Sequence, residues 1–312
     1  MIVALAGGVG ASKFLRGLVR AVPPEDVTIV VNTADDIEVH GLWVSPDLDT
    51  VTYGLAGVSD REQGWGLAGE TWSCAQTLAR YGMPTWFQLG DRDLGTHLYR
   101  TGRLEAGATL TETTAEIASA WGVRSRVLPM SDDRVTNTIV CEVDSEAVPL
   151  HFQEYLIRRH MADPVLDVRY DGIESAAPTA EVLDALATAR GIVVCPSNPV
   201  VSVGPIVALA GVRDALEGRK VRCVGVSPIV DGAPVRGPAD RLLPAVGLDV
   251  SCVGVAAGYT GLVDALVIDT ADAARAADVS ATGVEAVVAD TMMVDDDVAT
   301  ALAHTVLERL EL

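Results

Sequence analysis

Near the start of the chain, Ala6-Gly7-Gly8-Val9-Gly10-Ala11-Ser12-Lys13 sets three glycines and a lysine between an apolar run and an amphipathic one. Glycines at such a junction let the backbone turn sharply and let a phosphate approach the amides at the positive end of a helix. The spacing is not a dinucleotide fingerprint, because Lys13 stands where the third glycine of G-x-G-x-x-G would fall. Nor is it a Walker A loop, which needs four residues between its first glycine and the Gly-Lys pair. A phosphate cradle and a tight structural turn are both open, and the strand–glycine–helix context favours the cradle. Lys13 is conspicuous: it is one of only two lysines, against 21 arginines.

Two acidic segments follow. Asn32-Thr33-Ala34-Asp35-Asp36 stands at the end of an apolar run, where open α/β sheets bind their ligands. An acid there can hold a ribose hydroxyl or a metal ion, or simply cap a turn. In Ser45-Pro46-Asp47-Leu48-Asp49-Thr50, two carboxylates at i, i+2 on an extended turn face one cavity and suit a hard cation such as Mg²⁺. Asx-turn capping is the competing reading.

Three further segments mix chemistry-bearing residues. Trp65, Trp72 and Trp86, three of the five tryptophans, fall in or just after a glycine-rich stretch from Gly54. They offer a planar ring a stacking surface, or they pack beneath a long loop. Gly90-Asp91-Arg92-Asp93-Leu94-Gly95-Thr96-His97 follows an expected strand and reads as a functional loop or a self-neutralising surface turn. Cys195-Pro196-Ser197-Asn198-Pro199 is a proline-stiffened turn that aims Ser197 and Asn198, whose polar groups bind phosphate, sugar or a base edge. With no G-x-S-x-G elbow, Ser197 is not read as a nucleophile.

The elements that must position these residues alternate between short β-branched runs and amphipathic helices, which predicts an α/β fold with a doubly wound, mostly parallel sheet. Strands are expected at Ile2–Leu5, Val27–Val31, Thr85–Leu89, Gly191–Cys195, Val221–Val226, Ala265–Asp269 and Glu285–Ala289. Helices are expected at Ser12–Ala21, Glu70–Tyr81, Thr111–Trp121, Ala180–Arg190, Ile206–Leu216 and Asp297–Leu310, the third with a capping box from Thr109 to Glu112. The rhythm changes over residues 124–178. There Val135–Val143 alternates like an antiparallel strand and His151–His160 looks helical. This stretch reads as a smaller α+β subdomain inserted in a Rossmann-like core of residues 1–123 and 179–312.

With 312 residues, 49% of them hydrophobic, and a mean hydropathy of +0.29, the chain can bury a large core without disulfides. The five cysteines are widely spaced and form no C-x-x-C pair, so neither zinc nor a disulfide framework is indicated. No apolar run reaches the roughly 18 residues of a membrane span. A net charge of −20 disfavours nucleic acid and anionic lipid as partners. A cytoplasmic protein that holds phosphate by local amides, a metal and a few cations is the expectation.

In chain order, these segments resemble the 2-phospho-L-lactate transferase family of coenzyme F-420 biosynthesis. Gly7 to Lys13 is similar to its opening glycine loop, and Asn32 to Asp36 with Ser45 to Thr50 to its paired acidic segments. Leu89 to Arg100, Met130 to Asp133, Phe152 to Tyr155, Pro196 to Pro199, Ser227 to Val230, Gly237 to Asp240 and Ala289 to Met293 continue the match over nearly the whole chain. The resemblance implies a Rossmann-like dimer that uses Mg²⁺. Such an enzyme passes a phospholactyl or phosphoenolpyruvyl unit from a guanosine diphospho donor to the ribityl hydroxyl of the deazaflavin FO, releasing GMP.

On that resemblance, Asp47, Asp49 and Asp35 are the expected catalytic acids, and the same three with Asp36 the expected metal ligands. Gly7, Gly8, Gly10, Lys13, Ser197 and Asn198 are expected to hold the donor nucleotide. Asp47, Arg92, Trp65, Asp91 and His97 are expected to face the acceptor. Arginine-rich coding points to a GC-rich bacterium and hence to the enolpyruvyl donor. Two rivals stand beside this reading. One is a non-catalytic nucleotide-sugar-binding regulator of the same superfamily. The other, a nicotinamide dehydrogenase, is weakened by the missing third glycine.

Overall fold

The computed structural model describes residues 1–312. Its strands are β1 (Ile2–Ala6), β2 (Val27–Val31), β3 (Ile37–Val39), β4 (Leu42–Val44), β5 (Arg126–Pro129), β6 (Thr136–Val143), β7 (Glu146–His151), β8 (Val165–Asp171), β9 (Gly191–Val194), β10 (Cys223–Val226), β11 (Ile229–Val230), β12 (Ala233–Pro234), β13 (Ala265–Asp269) and β14 (Glu285–Ala289). The helices that bear on the site are α1 (Gly8–Ala21), α2 (Pro46–Leu55), α3 (Ser73–Arg80), α4 (Asp93–Glu105) and α5 (Leu110–Ala120).

Seven strands form one sheet in the order β14-β13-β10-β9-β1-β2-β5, and every pairing is parallel. From β1 the chain winds outward through β2 to β5, then returns to β9 on the other side of β1 and winds outward again. The reversal lies between β1 and β9. A crevice therefore opens outside their carboxyl ends, the usual ligand position in a doubly wound sheet.

Strand side chains alternate between the two covered faces, as period-2 geometry requires. In β1, Val3 and Leu5 join the core on one face, while Ile2, Ala4 and Ala6 join the other with Phe14, Leu15 and Leu18 of α1. On that second face α1 lies against the C-terminal helix Asp296–Arg309, and Arg16 Nε is 2.8 Å from Asp296 Oδ1. No helix is long and apolar enough to cross a membrane.

Several elements depart from the sequence-based expectation. Thr85–Leu89 is not a strand. The slot beside β2 is taken by β5, and Trp86 packs edge-on against Phe87 at 5.7 Å instead. Because β5 lies within the expected 124–178 insert, that segment first completes the main sheet. It then forms a separate antiparallel sheet, β7-β6-β8, followed on β7 by a single wide helical turn, Glu154–Arg158. Ser45–Thr50 is not an extended turn: proline at the first helical position starts α2 there. Gly90–His97 is likewise half helix, since α4 begins at Asp93. The expected helix Ile206–Leu216 is two short ones, split at Gly211 with φ +81°.

Candidate functional site

The glycine loop is the floor of the crevice. Gly7 is extended and leads straight into α1, whose first turn carries no acid and no side-chain cap. Its leading N–H groups are the usual unsatisfied donors of a helix start, with the helix dipole behind them. Gly8 takes φ +71°, which favours glycine. A Cβ on Gly10 would collide with the Pro196 carbonyl, so the turn after β9 lies directly against the loop after β1. Ser197 Oγ accepts the Gly7 N–H at 3.1 Å and keeps its own proton to donate. Lys13 forms no ion pair, as none of the side-chain carboxylates lies within salt-bridge reach.

Asp47 sits against this floor. Its Oδ2 would lie 2.6 Å from a Cβ on Gly7, and it accepts a hydrogen bond from Asn32 Nδ2 at 3.0 Å. Asp35 is the next acid: its Oδ1 accepts from Asn137 Nδ2 at 2.6 Å. Both acids are buried, 6% and 3% exposed. Burial pushes the Asp47 carboxyl up to about 6, with the Asn32 and Gly8 hydrogen bonds pulling the other way. Burial, and then the charge of Asp47, push Asp35 well above the carboxylate range. Neither acid has a cation partner within ion-pair distance; Asp47 leans instead on Asn32 and on the Gly8 N–H at the start of α1.

Asp36 and Asp49 are occupied elsewhere. Asp36 Oδ2 accepts from Ser45 Oγ at 2.6 Å and Trp43 Nε1 at 3.0 Å, and burial raises the carboxyl to about 7. Its Oδ1 has no protein partner. A cavity of about 120 Å³ lined by Asp36, Thr33, Trp43 and Arg134 adjoins it. Asp49 is clasped by the fully buried Arg100 through both oxygens. The expectation that Asp49 ligates the metal gives way, since Arg100 engages both of its oxygens, whereas Asp36 keeps Oδ1 unpartnered. No three His, Cys, Asp or Glu side chains converge into a ready-made cage.

The expected acceptor residues separate. His97 is 1% exposed: helix α4 turns it inward, with Nε2 3.2 Å from Asp93 Oδ2 and Nδ1 3.8 Å from Asp49 Oδ2. Arg100 Nη1 lies 3.4 Å from His97 Nδ1. A guanidinium only donates, so this contact favours the tautomer with the proton on Nε2. His97 is therefore part of a buried network, not an acceptor contact. Asp91 is also committed, accepting from Ser73 N and Thr71 Oγ1 with one oxygen and from Cys74 N with the other. That anchors the start of α3. Arg92 is exposed and donates to the Ala68 carbonyl at 2.5 Å. Trp65 is half-buried and packs edge-on to Trp72 at 6.2 Å. Trp65 lies in the glycine-rich loop and Arg92 reaches that loop at Ala68, while His97 and Asp91 are committed elsewhere.

On the nucleotide side, Asn198 Oδ1 caps the next turn by accepting from Val200 N at 2.9 Å, and its Nδ2 is buried without a partner. Three residues given no role in the sequence reading belong to the site or its frame. Asn32 holds Asp47, Asn137 holds Asp35, and Arg100 holds Asp49. A fourth, Arg236, donates to the Gln63 carbonyl at 2.6 Å. A Cβ on Gly64 would touch both its guanidinium and Val9 of the glycine loop, so Arg236 stands at the lip of the crevice. Asn137 and Arg236 lie outside the motifs and carry no spacing signal, and for Asn32 and Arg100 only the fold shows which acid each one holds.

Comparison with known proteins agrees with this layout. The family model for 2-phospho-L-lactate transferase CofD matches residues 2–307. The chain is 46% identical over 312 residues to a phosphoenolpyruvate transferase of Streptomyces griseus, covering 99% of this chain and 98% of the relative. It is 38% identical over 307 residues to a 2-phospho-L-lactate transferase of Methanosarcina mazei, covering 98% and 99%. In fold it is similar to the crystal structure of a UPF0052 family protein from Bacillus halodurans, with a TM-score of 0.63, 21% identity, and 98% and 99% of the two chains covered. The glycine floor, the acid pair above it and the match over nearly the full length lead to one assignment: the chain belongs to the 2-phospho-L-lactate transferase family.

Proposed function

We propose that this protein transfers a phosphate carrying an enolpyruvyl unit from a guanosine diphospho donor to the terminal ribityl hydroxyl of the deazaflavin FO, releasing GMP, in coenzyme F-420 biosynthesis. The observation that carries the reading is the contact of Asp47 with Gly7 and Gly8. A carboxylate there faces the phosphorus of a diphosphate seated on the first turn of α1. The hydroxyl oxygen forms a new bond to the substituted phosphorus, and the bond from that phosphorus to the GMP phosphate oxygen breaks. The hydroxyl proton passes to Asp47, which is largely ionised at neutral pH. Phosphoryl transfer asks the protein mainly for positioning and charge stabilisation. The α1 amides, Ser197 and Lys13 supply these on the donor side, with Asn198 toward the guanosine, and Trp65 and Arg92 flank the acceptor.

Asp35 and Asp47 are the residues that would hold Mg²⁺. Two hard carboxylates without a cationic partner suit an ion that keeps its waters and shares substrate phosphates. When bound, Mg²⁺ neutralises diphosphate charge and polarises the phosphoryl oxygens. Higher identity to the phosphoenolpyruvate transferase than to the phospholactate transferase supports the enolpyruvyl donor, and the family resemblance supports a homodimer.

The test is incubation of purified protein with Mg²⁺, isotope-labelled FO and each donor, followed by mass analysis of the product. The enolpyruvyl and lactyl products differ by two hydrogens. Labelled product is expected with the enolpyruvyl donor. Binding of both ligands without product would favour the non-catalytic regulator.

A further inference from the structure

Asn137 is fully buried on β6, a strand of the small antiparallel sheet rather than of the sheet that carries the crevice. Its Nδ2 spends both protons, on Asp35 Oδ1 and on the Val201 carbonyl, each at 2.6 Å. Its backbone N–H donates to the Ala34 carbonyl at 2.7 Å. The amide orientation is dictated chemically: a carbonyl oxygen can only accept, so the nitrogen must face Val201. Its Oδ1 is left buried with no protein partner. A side chain kept only to brace the core would not retain an unpaired acceptor at that depth.

Both partners of the nitrogen lie on the lips of the crevice. Asp35 follows β2 and stands beside Asp47. Val201 belongs to the turn Pro199–Val203 after β9. The neighbour of Val201, Ser202, has its Cβ 2.7 Å from where a Gly7 Cβ would stand. One amide thus spans from the acid that follows β2 to the turn that packs on the glycine floor.

We infer that Asn137 is a positioning residue for the transfer: it aims Asp35 and fixes its distance from the donor-side turn, so the small sheet is part of the catalytic frame. This inference rests on the transferase reading above.

The test compares Asn137→Ala, Asn137→Ser and Asn137→Asp with Thr138→Ala, which removes a hydrogen bond of the same strand to Asp171 and serves as the structural control. Thermal unfolding first establishes that each variant is folded. Asn137→Asp sets an acceptor against Asp35 and Val201 and should lower kcat at least 100-fold with donor and acceptor KM within threefold. Asn137→Ala should lose at least tenfold, and Asn137→Ser, which keeps one donor, should recover part of that. Calorimetric titration of Mg²⁺ in the presence of GMP should show at least threefold weaker binding to Asn137→Ala. A folded Asn137→Ala with kcat within threefold of the unmodified enzyme overturns the inference, as does an equal loss in Thr138→Ala. Should the unmodified protein itself form no product, the transferase reading fails and takes the inference with it.

Discussion

Arg100 reaches from α4 to α2 and holds Asp49 in a two-pronged ion pair: Nη1 donates to Oδ2 at 3.1 Å, and Nη2 to Oδ1. The arginine is 1% exposed and the aspartate 6%. Asp47 precedes Asp49 by two residues on the same helix, so this clasp helps set where Asp47 stands.

Removing one member of such a buried pair strands the other charge, at a cost of about 3–5 kcal/mol. Arg100→Ala should therefore lower the free energy of unfolding by that order. A double variant, Asp49→Leu with Arg100→Leu, should lose markedly less than the sum of the two single changes. Urea unfolding measures both; additive losses would show that the pair is not a structural unit.

Asp47→Asn keeps shape and the Gly7 contact but cannot take a proton. Turnover should fall about 10²–10⁴-fold, while Tm stays level or rises because a buried charge has been removed. A folded Asp47→Asn enzyme with near-normal kcat would refute the role assigned to Asp47.

Stability should depend on pH with an unusual sign. Burial holds the Asp36 carboxyl at about 7 and Asp47 at about 6, with Asp35 raised as well, whereas the unfolded chain releases these protons in the ordinary carboxylate range. The folded state thus binds more protons between about pH 4 and 7. Its advantage is complete below that window and is lost as pH rises through 7. Metal-free protein should melt roughly 5 °C lower at pH 7.5 than at pH 5. Mg²⁺ with GMP should raise Tm more at pH 7.5 than at pH 5, since the ion competes with the protons. A Tm that climbs with pH over this range would contradict the burial of these acids.

Gly10→Ala places a methyl group against the Pro196 carbonyl. The resulting shift of the β1 and β9 loops should cost about 1–3 kcal/mol of stability. It should also weaken GMP binding at least tenfold by calorimetry. Unchanged affinity would separate the nucleotide from this floor.

The sheet was legible because buried parallel strands read as short β-branched runs, and six of the seven expected runs lie in it. The seventh, Thr85–Leu89, has the right composition but no vacant sheet edge. Arg126–Pro129 occupies that edge, with only four residues and no distinctive pattern. The glycine floor and the acids Asp35 and Asp47 were legible from local spacing. His97 was misread because Gly90–His97 looks like a loop, and only the start of α4 at Asp93 decides which way its ring points. The roles of Asn137 and Arg100 were illegible for a related reason: each works through a partner 102 or 51 residues away, a distance that no local pattern encodes.

The bare start of α1 has an effect beyond the donor. On the proposed reading, amides at a helix start take a compact doubly charged oxyanion without reading what is attached to it, and Ser197 and Lys13 add nothing that distinguishes a nucleotide from a free ion. Inorganic phosphate and sulfate should therefore compete with the donor while chloride does not, so the rate of transfer becomes tied to the surrounding phosphate concentration.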